Sequence, residues 1–528
     1  MAMPAALLAS SSSLAVLPRA DSAAGIPAAM PWAGSFPVTA PAAKPALPNG
    51  EGAGGRPGSN TASRGDAIAP AYQAVTPAYP FPPPATNPFA ASSPMARGGL
   101  PEDGGWNTQR RPNGAPVDPV LAELQDLVAE RSMTLSAGTV FRSRAGEAGL
   151  SQLSDMQIPI EARIPVGKGK LVLSATPTFL DSGTVSSDYG VSSRFGAGPS
   201  AALAQAQGTL TAPAPQNASG VGLSVGYESK NVNASIGTTP LGFLVTNVVG
   251  NIAINGALSD TVSIKADLSR RAVTDSLLSF AGIKDTRTNE TFGGVVASGG
   301  RVDLNRDDGT FGLYSYGSYH LLTGRNVTDN NRMEAGGGIY MHLMRNAGSS
   351  LTAGMNLGVL RYTRNLSYYT VGQGGYFSPQ RQMSMAFPVS WTGREDRLSW
   401  GINGSLGVQS FTQNDALYFP TNPARQKGAA NASATARGMN LTTLAFTGAY
   451  AGSTKTGLAY NLGGLIEYQV APQLYLGGAL SLNNAQNYRQ ATGSVHLRYM
   501  VGGVPEFGRP AGSGATLRPF SSPYTPML

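Results

Sequence analysis

Three histidines, His320, His342 and His496, are the first residues to question, because a hydrolase would need one of them beside a nucleophile and an orienting polar group. No Gly-x-Ser-x-Gly elbow leading into a helix accompanies any of them. A glycosidase would need two carboxylates facing each other across a cleft. The adjacent Asp307-Asp308 belongs instead to an Asp-Asp-Gly turn, which accounts for both residues. The chain has no cysteine, which excludes disulfides, thiolate nucleophiles and thiolate metal sites. No other metal-ligand spacing and no cofactor motif is present, so the expectation is a protein without catalysis, metal or cofactor.

The remaining polar residues suit weak, replaceable contacts, and their spacing says which elements carry them. After Thr134 the pattern has a period of two almost to the end of the chain. In Arg397 to Gln409, Leu398, Trp400, Ile402, Leu406 and Val408 fall on one face, and Ser399, Gly401, Asn403, Ser405, Gly407 and Gln409 fall on the other. Similar splits occur in 261–269, 382–391 and 473–483. Stretches of roughly 9 to 15 residues exceed ordinary globular strands and match the length that crosses a bilayer at a tilt. An apolar face opposite a small polar face is the pattern of a strand with lipid on one side and water on the other. The fold expected is therefore all-β, a transmembrane antiparallel β-barrel.

Composition agrees with this reading. Of 528 residues 13% are charged and 67 are glycine, against about 25% charged and about 7% glycine in soluble domains. No run of apolar residues is long enough for a transmembrane helix, which leaves a closed barrel as the way through a membrane. The net charge of +8 is spread along the chain without basic clusters interleaved with aromatics, so nucleic acid is not an expected partner. Residues 1–115, rich in Pro, Ala, Gly and Ser, read as a disordered linker, and Met1 to Ala20 lack the basic n-region of a signal peptide. Residues 116–132 read as a short amphipathic helix, with Val120, Leu121, Leu124, Leu127 and Val128 on one side. The barrel is expected over 133–501, followed by a tail at 502–528. About 17 candidate strands can be counted. Parity in single-chain barrels requires an even number, so 16 is expected, with the first candidate or a pair near the C-terminus in excess. Short turns, including one at Gly452 to Lys455, alternate with long connections near 180–218, 272–290, 363–380 and 411–436.

Several strings in order carry a resemblance. Arg142-Ser143-Arg144-Ala145-Gly146-Glu147, Gly237-Thr238-Thr239-Pro240-Leu241-Gly242-Phe243, Asp275 to Gly282 and above all Gly372-Gln373-Gly374-Gly375-Tyr376-Phe377-Ser378-Pro379-Gln380 resemble the C-terminal barrel of the bacterial cellulose synthase C-subunit family. The resemblance implies a 16-stranded outer-membrane pore for nascent cellulose, a β-1,4-glucan. It also implies an inner-membrane cellulose synthase complex and a periplasmic cellulase as partners. Members of that family usually carry tetratricopeptide repeats before the barrel. No 34-residue helical repeat precedes Thr134 here, which suggests a shortened or split gene product.

Two groups of residues are expected to meet the glycan. The first is the inward face, including Asn251, Asn356, Asn403, Gln409, Asn461, Glu467, Tyr475, His496 and Arg498. Their amides and hydroxyls can exchange hydrogen bonds with sugar hydroxyls while rings stack on sugar faces. The second is the connection Asn365 to Gln380, where Tyr368, Tyr369, Gly374, Gly375, Tyr376, Phe377 and Gln380 form a folded-in gate, with an aromatic girdle as the plainer alternative. Asp275 to Asp285 and Arg142 to Glu147 are expected to be structural. A general porin, or another polysaccharide or autotransporter-type barrel, is the alternative to a cellulose channel.

Overall fold

The computed structural model describes residues 131–229, 231–346, 349–395, 397–441, 448–485 and 488–501, together with Phe520. The linker, the leading helix and the tail fall outside these residues, apart from Arg131, Ser132 and Phe520.

Alternation becomes strands along the described chain. They are β1 (Met133–Arg144), β2 (Leu153–Gln157 continued by Ile160–Val166), β3 (Gly169–Gly183), β4 (Gln216–Ser229), β5 (Val232–Thr238), β6 (Val248–Ala257), β7 (Val262–Ala272) and β8 (Glu290–Asp307). The second half comprises β9 (Phe311–Arg325), β10 (Asn330–Asn346), β11 (Ser349–Tyr362), β12 (Arg381–Glu395), β13 (Leu398–Gln413), β14 (Ser453–Ala471), β15 (Leu474–Ala485) and β16 (Tyr488–Val501). Each pairs antiparallel with its neighbours in sequence, and β1 pairs with β16 from Met133↔Val501 to Arg144↔Gln490. The sheet is thus a closed barrel of 16 strands, with no free edge to leave backbone groups unpaired in lipid.

Both suspects in the strand count are genuine. Thr134–Phe141 lies within β1, which closes the barrel, and β15 and β16 are both full strands. The second strand is broken at Ile158-Pro159, since proline lacks the donor that a ladder needs. The Ile158 N–H donates to Pro177 O at 2.9 Å and Pro159 O accepts from the Gly138 N–H at 3.1 Å, so the two halves stay in one line. Gly452 to Lys455 is not a turn. Gly452 closes a long connection and Lys455 lies within β14, while Pro472-Gln473 makes the short turn that follows.

All long connections leave from one end: 184–215, 239–247, 273–289, 363–380 and 414–452. The opposite end, where β1 begins and β16 finishes, carries the tight turns. Outer-membrane barrels keep short turns in the periplasm and long loops outside, which orients this one.

The wall has the sidedness that the period of two demands. Leu480 and Leu268 are 73% and 68% exposed on the outer surface, an arrangement stable only against hydrocarbon. Inward positions are small or polar. Several glycines there lie under rings from the next strand: a Cβ at Gly312 would collide with Tyr340, one at Gly336 with Tyr316, and one at Gly477 with His496. Large rings therefore lie flat against the wall. At the periplasmic end Trp391 and Trp400 meet edge to face at 6.1 Å on the outer surface, part of the aromatic belt of a membrane interface.

Candidate functional site

The long connections fold into the outer mouth of the barrel and pack there as a cap. Connection 184–215 carries α1 (Tyr189–Ser192) and α2 (Gly198–Ala206), 273–289 carries α3 (Leu277–Ala281), and 414–452 carries α4 (Pro423–Gly438). Their starts are marked locally. Asp188, Ser276 and Asn422 cap α1, α3 and α4 with side-chain oxygens, and Pro423 occupies the first turn of α4, where its missing N–H costs nothing. Inward residues of the strand tops, including Leu153, Leu180, Val249 and Val296, form one apolar cluster with Phe195, Leu277, Leu278, Phe280, Tyr369 and Phe419 from the connections.

The aromatic connection 363–380 is threaded through this cap. Tyr376 and Phe377 are 0% and 2% exposed. Tyr376 packs on Tyr362 at 6.0 Å and its hydroxyl accepts from Asn330 at 3.2 Å, while Phe377 meets Phe411 edge to face at 5.0 Å. Because Asn330, Tyr362 and Phe411 are inward strand residues, the segment sits inside the mouth rather than on the outer girdle. Tyr376 and Phe377 hold the segment in place, and their rings are covered by protein. Tyr369 is buried too, in a two-residue parallel pairing with Phe195-Gly196. Tyr368 is partly exposed and stacks on Tyr450 at 3.7 Å, with Tyr418 on the other side of Tyr450 at 4.0 Å. Sequence reasoning missed this three-ring stack, since Tyr368 lies 82 residues from Tyr450.

The glycines and Gln380 shape the segment. The N–H groups of Gly374 and Gly375 donate to Leu366 O at 3.1 and 3.0 Å. Gly375 has φ +65° and lies so close to α3 that a Cβ would come within 2.8 Å of Leu278 and Ser276. Ser276 donates to Gly375 O at 2.7 Å, and Gln380 accepts from the Asn414 N–H at 2.7 Å.

Beneath the segment lies a charged layer. Arg142 pairs with Asp155 at 2.7 Å and donates to Thr274, Glu147 pairs with Arg194, and Arg332 pairs with Glu334. The buried pair Asp285–Arg287, at 3.0 Å, ties connection 273–289 to 184–215 through Ala197 N–H and Phe195 O. These groups fix the loops, as expected for Arg142 to Glu147 and Asp275 to Asp285. Asp275 accepts from the Phe377 N–H at 3.2 Å. Burial pushes its pKa up to about 6, against the pull of Arg144, the Phe377 N–H, Arg142 and Arg332. Burial likewise pushes the Tyr369 hydroxyl up to about 12.

The inward residues form a second group near the periplasmic opening. Glu467 accepts from His496 at 3.1 Å and from Arg498 at 2.5 Å, and the Arg498 guanidinium covers the Tyr475 ring at 4.0 Å. Phe520, from the tail, meets His496 edge to face at 6.3 Å inside the barrel. Across the wall Arg301 pairs with Asp303 and covers the Tyr316 ring at 4.0 Å. Asn403, opposite Gly463, faces inward between the two ends. The expected residues therefore separate into a mouth group and an entrance group, and do not form one site.

A family model described as cellulose synthase operon protein C C-terminus matches residues 151–502. The chain belongs to the cellulose synthase operon protein C family. Relatives of that name are 32% identical in Xanthomonas axonopodis pv. citri, over 72% of this chain and 34% of theirs, and 36% identical in Pseudomonas fluorescens, over 78% and 30%. A relative from Komagataeibacter xylinus is 30% identical over 83% and 34%. The chain thus spans about a third of the length of the curated relatives it matches. A solved bacterial polysaccharide outer membrane secretin is similar over 70% of this chain and 98% of its own, with TM-score 0.42 and 10% identity, too distant to bear on function. This member of the operon protein C family is a β-barrel of the outer membrane.

Proposed function

We propose that the barrel is a passive conduit through which the nascent β-1,4-glucan crosses the outer membrane. One observation carries the reading: ion pairs neutralise the charges of the inward wall locally, and amides and hydroxyls line the wall between them. Arg301–Asp303, Arg332–Glu334, Arg142–Asp155 and Arg498–Glu467 cancel one another locally. On adjacent strands β12 to β14, Gln382, Ser405, Gln409 and Asn461 place amides and a hydroxyl on the inward face. Such a stripe offers a neutral polyhydroxyl chain many contacts of similar strength, which favours admission and release together. Tyr368 near the exit, partly exposed, can stack on a sugar face. The synthase of the operon supplies the drive by adding sugars, and a periplasmic cellulase is a further partner on this reading.

The cap must open for a glucan to leave, and a mouth closed at rest separates this conduit from a general porin, whose mouth stays open to solutes. The decisive experiment is secretion of Calcofluor-binding polymer by a deletion strain with and without the gene restored. External cellulose that does not depend on the gene removes the proposal. Replacing Gln409 and Asn461 with Leu is expected to lower export severalfold with the barrel still folded, as read from heat-dependent gel mobility.

A further inference from the structure

The outer surface of the wall carries a charged feature that conduction does not use. On strands β7, β9, β11 and β12, exposed positions at the extracellular rim are Arg270, Arg325, Arg361 and Arg381. None of the four forms an ion pair among the described residues. Arg270 is engaged only with Val248 O and Ser298 Oγ. The extracellular rim also exposes one acid, Asp181 at the top of β3, and the opposite rim exposes Arg306, Asp308, Glu395 and Arg397.

The sharpest juxtaposition is between β11 and β12. The register pairs Val359 with Met383 and Leu360 with Gln382, which sets Arg361 directly opposite Arg381. Like charges facing each other across a strand pair destabilise a sheet unless something lies between them. The Arg381 guanidinium also lies down along the wall, 3.2 Å from Met383 Sδ, over a surface of Leu357, Val359, Met383 and Met385 that is itself exposed to lipid. Two forked cations above an apolar strip match an amphiphile with a phosphate at its head, since guanidinium grips phosphate through paired N–H donors. A free phosphate would use the arginines and leave the apolar strip uncovered.

We propose that this face of β11 and β12 binds a phosphate-bearing lipid of the outer leaflet. Arg361 and Arg381 hold the phosphate, and Leu357, Val359, Met383 and Met385 receive the acyl chains.

The test uses the full chain purified in a neutral detergent, followed by native mass spectrometry and thermal unfolding. The probes are diphosphoryl lipid A, its dephosphorylated form and inorganic phosphate. Wild type is expected to retain the phosphorylated lipid and to melt higher in its presence. Arg361→Gln/Arg381→Gln should lose about tenfold or more in affinity, the scale of one lost charge-assisted fork. Arg306→Gln, at the other rim, should behave as wild type. Without lipid the double variant should melt no lower than wild type, because the facing charges are gone, and the single variants Arg361→Gln and Arg381→Gln serve if it does not fold. Equal retention by wild type and variants overturns the proposal. So does equal binding of the dephosphorylated lipid, or a thermal shift that inorganic phosphate reproduces alone.

Discussion

Asp275 is a carboxyl group closed off from water at the base of the cap, with Arg142, Arg144 and Arg332 in electrostatic reach and the Phe377 N–H on its oxygen. Burial outweighs those partners and raises its pKa from 3.8 to about 6. A loop that opens and hydrates this carboxyl returns it to the ordinary value, so the closed state binds the proton more tightly. Closure is therefore favoured below pH 4, and that preference is lost as pH rises through about 6. A difference of about two pKa units corresponds to about a hundredfold change in the open-to-closed ratio. Solute leakage through the reconstituted barrel should fall as pH is lowered from 7.5 to 4.5, and Asp275→Asn should flatten the profile; leakage that rises on acidification contradicts the assignment. Gly375 makes a separate residue-scale prediction. Its φ of +65° and its contact with Leu278 and Ser276 mean that Gly375→Ala costs about 1–2 kcal/mol from the backbone alone, read as faster proteolysis of the segment.

At the scale of the element, the segment 363–380 is held by side chains rather than by a ladder, so its seal depends on which rings are covered. Phe377→Ala leaves a cavity beside Phe411, a loss of about 3–5 kcal/mol that should dislodge the segment and raise leakage of small sugars into proteoliposomes. Tyr368→Ala removes only a stacked, partly exposed ring, about 0.5–1.5 kcal/mol, and should leave the seal intact. Equal leakage from the two variants would place the seal elsewhere. The difference between these rings was not legible in sequence, where Tyr368, Tyr376 and Phe377 look alike among glycines. Their environments come from contacts at long separation: Ser276 to Gly375, or Asn330 to Tyr376, leaves no local period to read. The helices of the cap were missed for a related reason. In α4 the Asn422-Pro423 start is a clear signal, but the Ala, Gly, Asn and Ser that follow carry no apolar stripe. The wall was legible because every strand borders lipid on one face and the lumen on the other, which writes burial into alternate positions.

At the scale of the molecule, that sidedness determines both where the protein sits and what it tolerates. A soluble sandwich would bury the apolar face of each strand in a shared core, whereas here Leu268, Leu480, Leu458 and Val495 are among the most exposed large apolar side chains of the described residues. Closure through β1 and β16 puts the ladder of the first strand under the control of the last, so the wall has no weak edge at which lipid could meet unpaired backbone. A charge should therefore be costly or harmless according to face, even between adjacent residues. Leu480 and Ser481 are one position apart near the middle of β15, the first pointing to lipid and the second to the lumen. Leu480→Arg should destabilise the inserted barrel by about 2–4 kcal/mol, as expected for arginine near the bilayer midplane. Ser481→Arg should fold as wild type and alter only conduction. Urea titration of barrels folded into liposomes, followed by heat-dependent gel mobility, measures both. Equal costs at the two positions would mean that the lumen is too narrow for a hydrated cation, which would also count against a sugar chain passing through it.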